Sequence, residues 1–592
     1  MILQALNDYY KRLNSNPDVD IPEFGYSNEK ISFSLVLNKE GDLVQIKDLR
    51  EKAGKGKLQP RFLIVPSITE TAARSNGVVS NFLWDKSEYV LGIDSKGKIN
   101  KSSAKYLHFK QRILDISSQY KDEGLNTVAS FFNKWEQGKF TNLLTSDNKK
   151  WEGIKKGVNF VFELDTDINC FIHERINVKE AWSNYFYNRE KEYSNKKNKS
   201  PAEGLCLISG NIAQLARVHR KIKGINKMKK PGALVGFNNE SCLSYNKTQG
   251  FNAPISIKSA FSYTTALNHL LSSTNQNIRI GDTSTVFWTE KKSSFETMFG
   301  KIMDQKNDGS DDNIKLFLEA VRDGKNPKDI ELDVPFYILA LAPNEARISV
   351  RFWHVSTIGD IAEKIGQHFK DIKIIKELED KDSFFPSIFK LLLETTPFRK
   401  NQKRKSENIP PLLGGALIRS IITGQSYPES LLSILITRIR ADGHINYIRT
   451  SMLKGIINRK IRIQKLKLKE IEMSLDKENK EHAYLLGRLF AVLEKAQQEA
   501  IPEANTTIKD RFFGAACATP KIVFPQILKN TQNHISKVKS VKGISFPDRL
   551  IEEIMADIKE FPAHLSLNEQ GLFTIGYYHQ RKDIWTKKEN KK

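Results

Sequence analysis

The sequence is poor in cysteine: Cys170, Cys206, Cys242 and Cys517 are the four in 592 residues. They stand too far apart for a CxxC or Cys–His zinc pattern and too thinly for a disulfide framework. Reduced, mostly buried thiols in a cytoplasmic protein are the expectation. Long apolar runs are missing too; none approaches the roughly 20 residues that cross a bilayer. The opening "MILQALNDYYKRL" has neither the basic start nor the apolar stretch of a secretion signal. Its Ile2, Leu3, Leu6, Tyr9, Tyr10 and Leu13 fit one face of a helix instead.

Signatures of chemistry are equally scarce. There is no GxxxxGK[ST] loop, no GxGxxG after a strand, no HExxH helix and no GxSxG elbow. "AGKGKL" at 53–58 is too short a match and reads as a basic turn. His219 sits among basic residues and His354 on an aromatic strand, which suits structural roles. One carboxylate cluster stands out, "ELDTD", with Glu163, Asp165 and Asp167. Strand spacing would put all three on one face, as a metal nuclease requires; the plainer reading is a solvated strand face running into a turn. A binding or scaffolding role, with no enzyme activity and no cofactor, is therefore expected.

What is abundant is positive charge. Lys and Arg number 93 against 69 Asp and Glu, a formal net charge of +24. A polyanion is the expected partner, and nucleic acid the first candidate. Apolar residues at 39% leave enough for well-packed cores, and a chain of this length calls for more than one of them.

Periodicity predicts an α+β protein: a mixed α/β N-terminal body over 1–400 and a mainly helical C-terminal bundle over 401–592. "KISFSLVLNKEGDLVQIKDLR" reads as a hairpin; "RFLIVPS", "YVLGID" and "GVNFVFELD" read as strands. Helical spacing runs from about Lys105 to Gln137, in "NIAQLARVHRKIKGINKMKK" and in "SAFSYTTALNHLLSS", while 185–203 reads as a lysine-rich loop. "PFYILALAPNEARISVRFWHVSTIGDIAEKIGQHF" predicts strand, turn, strand and then a helix capped by Thr357. Ser566 and Glu569 have capping-box spacing before a last helix.

Two segments suit nucleic acid. The stretch "RTSMLKGIINRKIRIQKLKLK", from Arg449 to Lys469, has no acid. As an amphipathic helix it would present Arg449, Lys454, Arg459, Lys460 and Arg462 to phosphates, with Arg438 and Arg440 just upstream. A membrane-surface role is disfavoured because no aromatic anchor accompanies the charge. The second is "AARSNGVVSNFLWDK", a loop pivoting on Gly77, whose Arg and Asn side chains carry the donors and acceptors that read base edges.

The order of longer strings is more specific. "MILQALNDYY", "NFLWDKSEYVLGID", "GFNAPISIKSAFSYTTALNHLL", "LALAPNEARISVRFWHVST", "ITRIRADGHIN", "DRFFGAACATP" and "FPAHLSLNEQGLFTIGYYHQRK" are collinear from residue 1 to about 585. In this they resemble the large subunit of the type I-C CRISPR Cascade complex. The resemblance implies a non-enzymatic subunit of an RNA-guided surveillance complex. Its partners would be guide RNA, double-stranded target DNA, the backbone, RNA-processing and small subunits, and a helicase-nuclease recruited after binding. The large subunit would read a short protospacer-adjacent motif in the duplex and help open the strands.

By position the motif-reading loop is Arg74, Ser75, Asn76, Gly77 and Asn81, with Lys86 beside it on the backbone. Ala73 stands where a lysine is common in the family, and Lys86 where an asparagine is common. The resemblance also implies a small subunit translated from an internal start. Met473 leaves 120 residues, 473–592, and the codons of Lys469 and Glu470 can spell a ribosome-binding site. Two rivals remain: a metal nuclease on Glu163, Asp165 and Asp167, and a basic RNA-binding scaffold without sequence preference.

Overall fold

The computed structural model describes residues 1–52, 58–67, 77–94, 96–101, 103–136, 148–167, 170–195, 202–237, 239–280, 282–303, 320, 330–345, 347–377, 385–399, 402–542 and 546–589. The fold is α+β, with several small sheets and a mostly helical C-terminal region. The chain forms two compact units, one of residues 1–224 and 230–269, the other of 225–229 and 270–592.

In the first unit the hairpin forms as its alternation predicts. Phe33–Leu37 pairs antiparallel with Leu43–Asp48, and the Asn38 side chain closes the turn by accepting from the Asp42 N–H at 2.7 Å. Gly41 has φ +82, and a Cβ there would meet the Phe131 backbone N at 2.7 Å, so the turn needs glycine. On its other side Phe33–Leu37 runs parallel to Asn159–Leu164, and Asp85–Lys86 pairs with Asn159 and Phe160 to finish the four-stranded sheet. Tyr26–Ile31 pairs separately with Arg61–Pro66. Helices Ala104–Gln119, Glu123–Glu136 and Ile176–Asn195 pack an aromatic core against the sheet, including Phe33, Phe109, Phe131, Phe162 and Trp182.

Three local expectations are corrected here. "YVLGID" is not a strand: Ser87–Val90 is a short helix, followed by an isolated bridge from Ile93 to Ile99. The segment from 185 continues the helix Ile176–Asn195. "NIAQLARVHRKIKGINKMKK" is not a helix but a short strand, Ile212–Gln214, then extended chain fixed by scattered bridges. Leu215, Ile222 and Ile225 are buried at near-helical spacing, but the backbone bonds of Leu215, Ala216 and Ile222 go to Ala202, Ile255 and Gly232. Tertiary partners there outweigh local periodicity.

In the second unit, strands Asn277–Ile280, Thr283–Thr289, Pro335–Asn344 and Arg347–Thr357 form an antiparallel sheet in chain order. The helix Ile358–Ile372 follows directly, and the Thr357 hydroxyl accepts from the Asp360 N–H at 3.2 Å, as predicted. The expected helical segment beyond 401 lies in this unit. One continuous core runs from the sheet through helices Leu413–Thr423, Glu429–Asp442, Tyr447–Gln464, His482–Ala500, Pro520–Lys542 and Leu567–Glu589. The last helix starts with the predicted capping box: Glu569 accepts from the Ser566 N–H at 2.7 Å.

Candidate nucleic-acid interface

Arg74, Ser75 and Asn76 lie outside the described residues. The anchors on either side of them are well defined. Before them, the Ser67 hydroxyl accepts from Arg220 at 2.5 Å and the Pro66 carbonyl accepts from the Trp84 indole N–H at 2.6 Å. After them, Gly77 is exposed and the chain then turns inward. Ser80 bonds His108 Nδ1 through its hydroxyl at 3.0 Å, and its carbonyl accepts from Arg112. The buried Asp85 carboxylate takes the N–H groups of Asn81 and Lys86, both at 2.8 Å. Phe82 stacks on Trp182 at 4.9 Å between centroids, and the next residue, Leu83, is held at φ +56. Such an over-determined root can hold a short reading segment in one orientation.

Asn81 is not on the surface. It is 1% exposed, and its side-chain Nδ2 has no hydrogen-bond partner among the described residues. The expectation that Asn81 offers itself to a base is corrected in this conformation: the side chain is enclosed by the loop root.

Lys86 is exposed, at the edge of the sheet. It lines an open concavity of about 550 Å³ with Glu88, Lys96, Glu152, Lys155, Lys156 and Gly157. Three local devices build it. The Asp94 carboxylate accepts from the N–H groups of Lys96 and Lys98 at 2.9 and 2.8 Å, curling the chain so that Lys96 projects. The helix Asn148–Lys155 ends at Lys155, Lys156 follows in the turn, and Gly157 leads the chain into the strand at φ +73. The Ser87 hydroxyl donates to the Ile154 carbonyl at 2.8 Å, fixing Lys86 against that helix end. Lys155 pairs with Glu152 and Lys105 with Glu88. Lys86, Lys96 and Lys156 make no ion pair among the described residues. Three uncompensated ammonium groups around one hollow suit phosphate, as point charges without base readout.

The helix Tyr447–Gln464 exists, but most of its basic face is buried. Arg449 is fully buried and bonds Asp442 Oδ2 at 2.8 Å, with Glu394 at 3.1 Å. Lys454 is 4% exposed and donates to the Asp371 carbonyl at 3.0 Å; burial pushes its pKa down to about 8. Arg459 bonds Asp371 Oδ2 at 2.9 Å and lies 4.2 Å over the Tyr427 ring. Arg462 bonds Asp371 Oδ1 at 2.6 Å and pairs with Glu470, and Lys460 pairs with Glu429. The expected phosphate-tracking face is thus corrected to a run of paired cations, buried at Arg449, Lys454 and Arg459 and half-buried at Lys460 and Arg462. Acids from elsewhere in the chain, not a polyanion, answer these cations. Just upstream, Arg438 reaches Asp442 at 3.7 Å and is half-buried, while Arg440 is exposed.

Glu163, Asp165 and Asp167 are not brought together as a metal site. The strand ends at Leu164, so Asp165 and Asp167 lie in the following turn. Glu163 is buried against Lys47 at 2.8 Å, and Asp167 pairs with Arg175 at 2.7 Å. Among the described residues no group of three His, Cys, Asp or Glu could hold a metal ion. No helix among them is long and apolar enough to cross a membrane.

No curated protein matches the chain. The family model described as CRISPR-associated protein (Cas_Csd1) matches residues 6–585, both units almost entirely. The chain therefore belongs to the Cas_Csd1 family of CRISPR-associated proteins.

Proposed function

We propose that this chain is the non-enzymatic large subunit of a type I-C RNA-guided surveillance complex. It binds target duplex, reads the adjacent motif, helps open the strands and supports recruitment of a separate helicase-nuclease. The observation that carries the reading is the family match over 6–585, together with a loop root clamped by Asp85, Ser80 and Trp84 beside an uncompensated lysine hollow. In this reading Arg74, Ser75 and Asn76 meet the bases, and the buried Asn81 belongs to the root that carries them. Lys86, Lys96 and Lys156 hold the neighbouring phosphates. Guide pairing, not the protein, specifies the rest of the target.

Residues 473–592 are also proposed as a separately translated small subunit. Met473 stands in the non-helical connector between Gln464 and His482, so a start there would cut no helix.

The test is binding by the reconstituted complex to duplexes differing only in the adjacent motif. Arg74→Ala should flatten the preference, and lysine substitutions in the hollow should weaken all duplexes alike. Equal affinity of the parent for every motif would favour a basic scaffold without sequence preference.

A further inference from the structure

Ser67, the last described residue before the segment proposed to read the motif, is 2% exposed. Its N–H donates to the Gly25 carbonyl at 2.7 Å, and that carbonyl also accepts from the Trp182 indole N–H at 2.7 Å. Its hydroxyl accepts from Arg220 Nη1 at 2.5 Å. Beyond the segment, Phe82 stacks on the same Trp182, the rings 9° from parallel. Trp182, Phe186 and Glu190 stand at i, i+4 and i+8 on the helix Ile176–Asn195, so they form one stripe. Arg220 reaches that stripe: its guanidinium lies 5.1 Å from the Phe186 ring centroid and 5.5 Å from that of Phe261. Burial lowers its pKa from arginine's ordinary value, and the Glu190 charge opposes that shift. The backbone that carries Arg220 is fixed on both sides. His219 Nδ1 bonds the Tyr263 hydroxyl at 2.7 Å, and the Asn268 side chain accepts from the Lys223 N–H at 2.8 Å and donates to the Lys221 carbonyl at 3.3 Å.

We infer that Arg220 is a positioning residue for motif discrimination: by holding Ser67 beside the Trp182–Phe186–Glu190 stripe, it fixes the entry of the reading segment relative to its exit at Phe82. Both ends of the segment then share one helix face as their support. A segment so held loses less freedom when it meets DNA, and its side chains face the bases in one register. Arginine suits the task because its flat faces stack on rings while an edge N–H reaches the hydroxyl. That guanidinium is engaged by Ser67 and two rings, so it acts through Ser67 and not on DNA. Cutting the Arg220–Ser67 bond leaves the Ser67–Gly25 backbone bond in place, so the direction of entry loosens without release of the strand Arg61–Pro66. The inference rests on the proposed reading that Arg74, Ser75 and Asn76 meet the bases.

The experiment uses the full chain in its reconstituted complex and two duplex probes, one carrying the adjacent motif and one with the motif scrambled. The variants are Arg220→Met, Ser67→Ala, the two combined, and Arg220→Lys. Each single variant, Arg220→Met or Ser67→Ala, should lose about tenfold of the parent's preference for the motif, the size of one misread base pair. Affinity for the scrambled duplex should stay within about twofold, and the double variant should lose no more preference than either single, since all three remove one contact. Arg220→Lys keeps a cation and a donor and should retain more of the preference than Arg220→Met. Preference equal to the parent's in Ser67→Ala would overturn the inference, whether or not Arg220→Met folds. So would an equal loss on both duplexes, which marks a merely structural role, or losses that multiply in the double variant. A parent with no preference between the two duplexes would instead defeat the motif-reading proposal itself.

Discussion

Arg459 and Asp371 meet out of water: Nε donates to Oδ2 at 2.9 Å, with the two side chains 2% and 1% exposed. Arg462 takes the other carboxylate oxygen, so one acid anchors two members of the acid-free stretch. Removing one partner of a buried pair usually costs about 3–5 kcal/mol, because the other charge is stranded. Arg459→Met should cost at the low end of that, about 3 kcal/mol, since Arg462 remains. Chemical denaturation reads the cost; the salt dependence of nucleic-acid binding should not move. Normal stability with a reduced salt slope would return Arg459 to the interface.

Lys454 gives a pH signature on the same helix. Burial lowers its pKa to about 8, from an ordinary lysine value of 10.5. Between those values the unfolded chain holds a proton that the folded chain has released, so stability contributed here rises with pH. The penalty, about 3 kcal/mol below pH 8, fades as pH climbs towards 10.5. Relative to Lys454→Met, the parent should therefore gain unfolding free energy between pH 7.5 and 10. A flat difference across that window contradicts the burial of a charged lysine.

At the loop root, the fully buried Asp85 accepts two backbone N–H groups. Asp85→Ala strands both donors and should destabilise the first unit by about 2–4 kcal/mol. Hydrogen exchange at Asn81 and Lys86 should accelerate more than exchange in the helix Ala104–Gln119. If motif discrimination survives that loosening intact, the root does not orient the reading segment.

The lysine hollow predicts a uniform effect. Lys86→Ala, Lys96→Ala and Lys156→Ala combined should weaken binding to all duplexes and reduce the salt slope by about 3, leaving the ranking of motifs unchanged. A changed ranking would mean that one of these side chains touches a base.

Much of this was legible in the sequence where local and tertiary preferences agree. Thr357 with Asp360, and Ser566 with Glu569, marked helix starts because capping is settled within four residues. The hairpin around Asn38 and Gly41 was legible for the same reason. Burial of a charged helix was not. Nothing within Arg449–Lys469 announces that Asp371, Glu394 and Asp442 will close on it, since those acids come from other helices and turns. The hollow at Lys86 joins residues about 70 positions apart through the pairing of Lys86 with Asn159, which periodicity alone does not reveal.

The internal start is open to a direct check. Mass spectrometry of the complex should find a product of 120 residues beginning at Met473. Met473→Leu should remove it while full-length chain persists; persistence of the product would place its origin elsewhere.

The most direct measurement is target binding by the reconstituted complex across a library of adjacent motifs, parent against Arg74→Ala. A strong preference in the parent that collapses in the variant, with overall phosphate-dependent affinity largely kept, is the expected result. An identical motif ranking for the two would contradict motif reading by this loop.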